Sequence, residues 1–215
     1  AQLRDYHAQG YAYEQMAILF RTNLGIRFVM DALMKGGIPF HMKDAIPNLF
    51  AHWISLDIIA YLRLVSGTGN TRANWLRIMN RPNRYIKREA LAPFTSDISV
   101  AQLKAYYQDK DWMLERLDRL EYDLSIMKRM SPYAAIHYLS NAMKYQDYLK
   151  DYAKEHHINE QELLDVLNAV HESSQSCRTF AEWFTYIDTY TEELQKQAKS
   201  PASNDANNES GVCLC

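Results

Sequence analysis

The chain has 215 residues, 47% of them apolar, and its 24 Lys and Arg against 26 Asp and Glu leave a net charge of −2. That is enough apolar material for a sizeable core in one large domain, or in a domain carrying an insertion. The charge excludes a global attraction to nucleic acid, and no apolar run approaches the roughly 18 residues needed to span a membrane.

Residues 1–9 read as a helix end stopped by Gly10. Met16 to Phe20 is an unbroken apolar run, which fits a strand buried on both faces or a buried helix turn. The run stops at Arg21, Thr22 and Asn23, and a helical pattern follows from Leu24 to Lys35, ending at Gly36-Gly37. A strand end followed by a helix start is where α/β sheets bind ligands and where backbone N–H groups attract anions. Thr22 or Asn23 acting only as the helix cap is the simpler reading of the same residues. Pro39 to Lys43 is a second short strand.

From Pro47 to about Val65 the pattern is helical, with Leu56, Ile59, Leu62 and Val65 on one side and Ile58 and Tyr61 widening the stripe. Ser66 to Asn70 is a loop. A second helix runs from Thr71 to about Asn80, and Pro82 prevents its continuation. After Pro93 come two long helical stretches, in which Leu117, Leu120, Leu124 and Met127 repeat at helical spacing. Ser131-Pro132 starts another helix, and Tyr145, Tyr148 and Tyr152 share a face of the next. Asn159 with Glu162, and Thr179 with Glu182, have the spacing of capping boxes. The last helix is expected to bury Phe180, Trp183, Phe184, Ile187 and Leu194. Lys199 to Ser210 lacks large apolar residues and reads as a mobile linker. Gly211 to Cys215 then has the pattern of a buried strand, whose expected parallel neighbour is Met16 to Phe20.

Three segments carry a resemblance. AILFRTN (17–23), with Arg27 and then ALMKGGIPF (32–40), resembles the AVLYRTNxxSR and LxxxGIPY segments of UvrD/PcrA/Rep-type superfamily I DNA helicases. IIAYLRLV (58–65) resembles the DxLAYLRL segment of that family, and LRIMNRPNRYI (76–86) its LRIINxPxRGIG segment, in the same order and spacing. The resemblance implies a mainly α chain, in which a helical insertion domain is attached to a partial α/β, RecA-like motor domain of the P-loop NTPase type. The divisions it implies are 1–47 for the first part of the second motor domain, 48–198 for the helical insertion, 199–210 for a flexible linker and 211–215 for the returning strand. It further implies that the chain is a piece of a larger ATP-dependent DNA helicase. ATP and Mg, and the first motor domain as partner, would belong to that parent.

The resemblance places Arg21, Thr22, Asn23 and Arg27 on the single-stranded DNA side. Between Asp57 and Glu89 the chain has no acidic residue, but it has Arg72, Arg77, Arg81, Arg84, Lys87 and Arg88. Such cations neutralise phosphates without reading sequence. Trp75 and Tyr85 are placed to add stacking. With the resemblance, Arg72, Arg77, Arg81, Arg84, Tyr85, Lys87 and Arg88 are expected to touch duplex or junction DNA. The sequence departs from the family where RGIG becomes Arg84-Tyr85-Ile86-Lys87, since Tyr85 bars the close backbone approach that glycine permits. Ala45-Ile46 replaces a Gly-Gly, and the basic–acidic pair before the AYLRL helix is absent.

The chain has no GxxxxGK loop followed by Ser or Thr, no nucleophile elbow and no HExxH, so catalytic residues are expected to be absent and the piece inactive as an ATPase by itself. His156, His157, His171 and Cys177 lack zinc-site spacing, so no metal is expected. Three cysteines with no CxxC, and no signal peptide, point to a reducing, cytoplasmic setting without membrane contact. Two other classes fit the same residues: a helicase–nuclease subunit, and a helical protein-interaction module whose basic interval is merely solvated.

Overall fold

The computed structural model describes residues 2–20, 29–30, 32–34, 36–42, 47–69, 71–199 and 211–214. Contacts divide the chain into two compact units, Ala1–Asn48 with Asp188–Cys215, and Leu49–Ile187. Arg21, Thr22, Asn23 and Arg27 lie outside the described residues, as do the start of the helix expected from Leu24 and the linker stretch 200–210.

The first unit holds α1 (Gln2–Ala8) and a three-stranded parallel sheet of β1 (Ala17–Ile18), β2 (Phe40–Met42) and β3 (Val212–Leu214), in the order β1-β3-β2. Ala17 aligns with Cys213 and Phe40 with Val212, so the two ends of the sequence meet in one sheet, as the apolar patterns predict. The central strand is the buried one, with Val212 and Leu214 at 0% and 2% exposure. The Met16 to Phe20 run departs from expectation. Only two of its residues are strand, it forms an edge among the described residues, and Leu19 is 81% exposed. An edge strand has one neighbour, so apolar composition alone does not bury it.

Two glycines shape this unit. Gly37, at φ 63°, ends the preceding helix in a Schellman pattern: its N–H donates to Met34 C=O at 3.1 Å, and Ile38 N–H donates to Leu33 C=O at 3.0 Å. Gly211, at φ 111°, lies so close to Pro39 that a Cβ would sit 2.5 Å from its carbonyl carbon. β3 can therefore draw up to β2 only with glycine there.

The second unit is helical. α2 (Trp53–Ser66) is its axis, packed against α3 (Thr71–Ile78), α5 (Asp111–Met127), α6 (Pro132–Asn141) and α8 (Glu160–Ser173). α4 (Val100–Tyr106), α7 (Tyr145–His156) and the start of α9 (Phe180–Lys199) complete it. A helix surrounded in this way is buried on more than one stripe. Ile54, Ile58, Tyr61 and Leu62 are fully buried, and so is Asp57, whereas Leu56 is 38% exposed. Of the expected apolar stripe, Ile58, Ile59, Tyr61, Leu62 and Val65 are buried and only Leu56 is not; Asp57 joins the inner face beside them, which ion pairing makes tolerable.

Local signals hold well in this unit. Ser131 Oγ accepts Ala134 N–H at 3.3 Å, with Pro132 opening α6. Thr179 Oγ1 accepts Glu182 N–H at 3.2 Å, and Glu182 reaches back to Arg178 N–H at 2.7 Å. Asn159 caps α8 through Gln161 N–H at 3.0 Å, but the capping box expected with Glu162 does not form, because the Glu162 carboxylate meets the Asn159 side chain and not its backbone N–H. Trp183 is buried, its indole donating to Ser173 Oγ at 3.0 Å, while Phe180 and Phe184 are half-buried rather than core. Leu124 is likewise half-buried, and Asp123 takes an inner position on α5.

Candidate nucleic-acid interface

The basic interval begins on α3 and continues through the segment after it. α3 is anchored by its own polar residues. Thr71 Oγ1 donates to Ser96 C=O at 2.9 Å and accepts Ile98 N–H at 2.7 Å, and Trp75 Nε1 donates to Ile98 C=O at 3.0 Å. Trp75 is 2% exposed, so the expected stacking role for it fails: it is a core residue with its one donor satisfied.

The segment from Asn80 to Lys87 is built around two side chains. Asn80 uses both ends of its amide, donating to Ile86 C=O at 2.9 Å and accepting Ile86 N–H at 2.9 Å and Arg84 N–H at 3.2 Å. Ile86 plugs inward at 2% exposure. Lys87 N–H then donates to the Tyr107 hydroxyl at 2.7 Å. Pinned at these points, the loop turns its remaining side chains outward: Tyr85 is 58% exposed, and Lys87 and Arg88 are exposed. Among the described residues, neither Lys87 nor Arg88 has an acidic side chain as partner.

Tyr85 has φ 60°, the left-handed region that costs a side chain about 1–2 kcal/mol. Asn83 Oδ1 supports it by accepting Tyr85 N–H at 3.1 Å. The backbone therefore keeps a glycine-like conformation although the residue is a tyrosine. An exposed ring stands where the RGIG pattern leaves backbone bare.

The arginines nearer α3 are half-buried and meet a buried acid. Arg81 Nη1 donates to both Asp57 oxygens, at 2.8 and 3.2 Å, and Arg77 Nε lies 2.9 Å from Oδ1 in a charge contact poorly aligned for a hydrogen bond. Tyr145 hydroxyl donates to Oδ2 at 2.9 Å, and Arg77 Nη2 donates to Trp53 C=O at 3.0 Å. Burial pushes the Asp57 carboxyl above its ordinary value, while Arg81, the Tyr145 hydroxyl and Arg77 pull it down. Desolvation works against Arg81, but the Asp57 carboxylate outweighs it and leaves Arg81 raised. We take the carboxylate as ionised at neutral pH, because two guanidiniums and a hydroxyl meet its two oxygens. The same burial, followed by the Asp57 charge, pushes the Tyr145 hydroxyl well above its usual range.

Arg72 and Arg84 are intermediate. Arg72 Nε donates to Leu91 C=O at 3.3 Å. Arg84 Nη1 reaches the Ile78 and Pro82 carbonyls, both at 3.2 Å, with its guanidinium 5.6 Å from the centre of the Tyr61 ring. The seven residues expected at a duplex surface thus separate into a half-buried pair held by an acid (Arg77 and Arg81, with side chains 31% and 38% exposed), a half-buried pair held by backbone carbonyls (Arg72, Arg84) and an exposed trio (Tyr85, Lys87, Arg88). Spacing gives Asp57 no role. Its signal is a lone acid inside an apolar helix stretch, with Arg77 and Arg81 four residues apart at the end of α3 and just beyond it.

Other features lie elsewhere in this unit. An open concavity of about 730 Å³ is lined by Arg63, Ser66, Thr68, Lys128, Phe180 and Phe184 among others. His171 stacks on Tyr133 with ring centres 3.9 Å apart, and His156 lies 4.1 Å from Tyr152. Among the described residues no three His, Cys, Asp or Glu side chains are grouped to hold a metal ion, and no helix is long and apolar enough to cross a membrane.

A mainly helical chain with a small parallel sheet and one basic loop is the class that this architecture defines. The profile of the UvrD-like helicase C-terminal domain matches residues 1–209, and the chain belongs to that family. It is 25% identical over 152 residues to the ATP-dependent DNA helicase PcrA of Staphylococcus epidermidis RP62A, covering 69% of this chain and 19% of that protein. It is 28% identical over 107 residues to PcrA of Leuconostoc citreum, covering 48% of this chain and 14% of that protein. Over 82 residues it is 37% identical to the ATP-dependent DNA helicase Rep of Buchnera aphidicola subsp. Baizongia pistaciae, covering 38% of this chain and 12% of that protein. The chain spans a fifth or less of each of these relatives.

Proposed function

We propose that this chain is the DNA-binding part of an ATP-dependent superfamily I helicase that unwinds or translocates on DNA. Residues 1–47 and 211–215 are read as part of its second, RecA-like motor domain, 48–198 as the helical insertion and 199–210 as the linker. The observation that carries the reading is the Asn80-pinned loop, in a chain of this family, presenting Tyr85, Lys87 and Arg88 to solvent. Lys and Arg release counterions from phosphates, giving salt-sensitive binding to duplex or junction without base preference. Arg72 and Arg84 add charge behind them. Arg77 and Arg81 contribute less, because Asp57 neutralises one positive charge between them.

Arg21, Thr22, Asn23 and Arg27 are proposed for single-stranded DNA, in a groove completed by the first motor domain of the whole protein. ATP and Mg are proposed for that whole protein, whose setting is cytoplasmic. This chain is proposed to turn over no ATP alone, because a phosphate loop and acidic metal-binding residues are both needed for phosphoryl transfer. Fluorescence anisotropy with labelled duplex across a salt series tests the central part. Replacing Arg84, Lys87 and Arg88 by Ala in the 215-residue chain should weaken all duplex sequences alike and reduce the log–log salt slope by roughly 0.9 for each phosphate no longer neutralised. Unchanged affinity and slope in a folded triple variant would leave the interval as a solvated face.

A further inference from the structure

The exposed Tyr85 ring has a partner on α5. The Arg116 guanidinium carbon lies 4.9 Å from the Tyr85 ring centre and 5.2 Å from that of Trp112, one turn earlier on the same helix. Both rings are exposed, at 58% and 50%. Large aromatics that bury this little contribute little to a core.

α5 is an acidic helix, yet its other charges are mostly spoken for. Lys104 Nζ meets Asp118 at 2.6 Å and Glu121 at 2.5 Å, and Arg119 Nε lies 3.4 Å from Asp123. Arg116 differs. The positions three and four residues to either side are Trp112, Met113, Arg119 and Leu120, so no acid sits where a helix would pair it. Among the described residues, no carboxylate or carbonyl accepts from it. Rings lying over a planar guanidinium limit its swing and leave its N–H edge open for a bidentate acceptor.

We propose that Arg116, steadied by Tyr85 and Trp112, is a nucleic-acid phosphate contact, which extends the loop surface of Lys87 and Arg88 on to α5. The proposal rests on the DNA-binding reading given above. The Tyr85–Arg116 contact ties the loop to α5, and the Tyr107 hydroxyl at the end of α4 fixes the loop two residues further on by receiving Lys87 N–H at 2.7 Å. Trp112 and Tyr85 act as positioning residues, and the phosphodiester oxygens are the acceptors. The tyrosine in a glycine-like conformation thus has a use: its ring exchanges a direct backbone–phosphate approach for an oriented arginine.

Duplex affinity of the 215-residue chain across a salt series, for four variants, tests this. Arg116→Ala is expected to weaken binding about tenfold and to lower the salt slope by roughly 0.9, the signature of one phosphate released. Arg116→Lys keeps the charge but not the planar stack, so affinity should fall with the slope retained. Trp112→Ala should behave like Arg116→Lys, because it removes orientation and no charge. Lys87→Ala with Arg88→Ala is the reference for the underlying reading. Arg116→Ala at parental affinity and slope, with the Lys87 and Arg88 variant weakened, would overturn the Arg116 contact alone. If neither variant altered duplex binding, the DNA-binding reading itself would fall. Acidic peptide bound with an Arg116 dependence that duplex lacks would also overturn the proposal.

Discussion

Arg77 and Arg81 stand within eleven residues of Lys87 and Arg88 and carry the same charge, yet the two pairs meet different surroundings. The first pair faces a carboxylate with a side chain 0% exposed, at 2.8 and 2.9 Å. The second lies where a loop runs into a 3-10 turn, and the Arg84, Tyr85, Ile86 and Lys87 N–H groups and the Ile86 carbonyl are already taken by Asn80, Asn83 and Tyr107. What decides between fold and ligand is therefore what faces each cation, and not its sequence position. A buried carboxylate needs partners for its charge, since leaving it alone is far less favourable than leaving an arginine in water.

The sharpest way to break this comparison is to remove the acid. Asp57→Ala leaves two guanidiniums and the Tyr145 hydroxyl without their acceptor, and should lower stability by about 3 kcal/mol. The urea midpoint measures it, and a loss within about 0.5 kcal/mol would mean that Arg77 and Arg81 are as independent as Lys87 and Arg88. Next in size, Arg77→Ala should lower stability by about 1–2 kcal/mol, because it removes both the charge pairing with Asp57 and the bond to Trp53 C=O. Lys87→Ala and Arg88→Ala should stay within about 0.5 kcal/mol of the parent, because neither side chain has a described polar partner. Equal losses in both pairs would erase the distinction.

A smaller effect comes from pH. Burial raises the Asp57 carboxyl above its ordinary 3.8. Between that value and the raised folded one, the folded state holds more protons than the unfolded, so this group's contribution to stability falls as pH rises and is constant above. His52 and His171 act in the opposite sense. Burial lowers both below 6.5, so stability falls as pH drops from 6.5 through their folded values. His52 Nδ1 accepts Ile54 N–H at 3.3 Å, which only the unprotonated nitrogen can do. Urea midpoints of the parent and of Asp57→Asn, compared pH by pH, cancel the histidines. The gap between the two proteins should narrow as pH rises through the folded Asp57 value. A gap that widened over that range would reverse the assignment.

Tyr85→Gly should have the smallest effect on stability, within about 0.5 kcal/mol. Relief of the left-handed strain offsets the missing ring stack and the freer unfolded chain. Tyr85→Val keeps the strain with a stiffer side chain, so a thermal scan should rank it below both Gly and the parent. A ranking with Val above Gly would mean that the φ of 60° is not strained.

Local chemistry is what the sequence makes legible. Ser131-Pro132, Thr179 with Glu182, and Gly36-Gly37 each mark a helix boundary within a few residues, because caps and left-handed turns depend on near neighbours. The parallel pairing of Ala17–Ile18 with Cys213–Leu214 is also readable, from two apolar runs that each have a buried-strand pattern, whereas the insertion of β3 between β1 and β2 is not. Longer-range matters are not. Leu19 and Leu56 are exposed although they continue apolar patterns, since an edge position and a buried Asp57 are decided by distant residues. Trp75 looks like a stacking residue until Ile98 supplies its carbonyl, 23 positions away. Asp57 meets Tyr145 across 88 positions, so no window of sequence could assign it. The Trp112–Arg116 pair is visible as an i, i+4 spacing, but its tie to Tyr85 is not.

The most direct measurement is the salt dependence of duplex binding by two variants of the 215-residue chain, Arg77→Ala and the Lys87→Ala/Arg88→Ala double variant. Release of two phosphates should reduce the slope by roughly 1.8 in the double variant, while Arg77→Ala, though less stable, should reduce it by much less than that. A flattened slope in Arg77→Ala beside an unaltered one in the double variant would contradict the account, because it would place the DNA on the arginines that hold Asp57 and not on the loop.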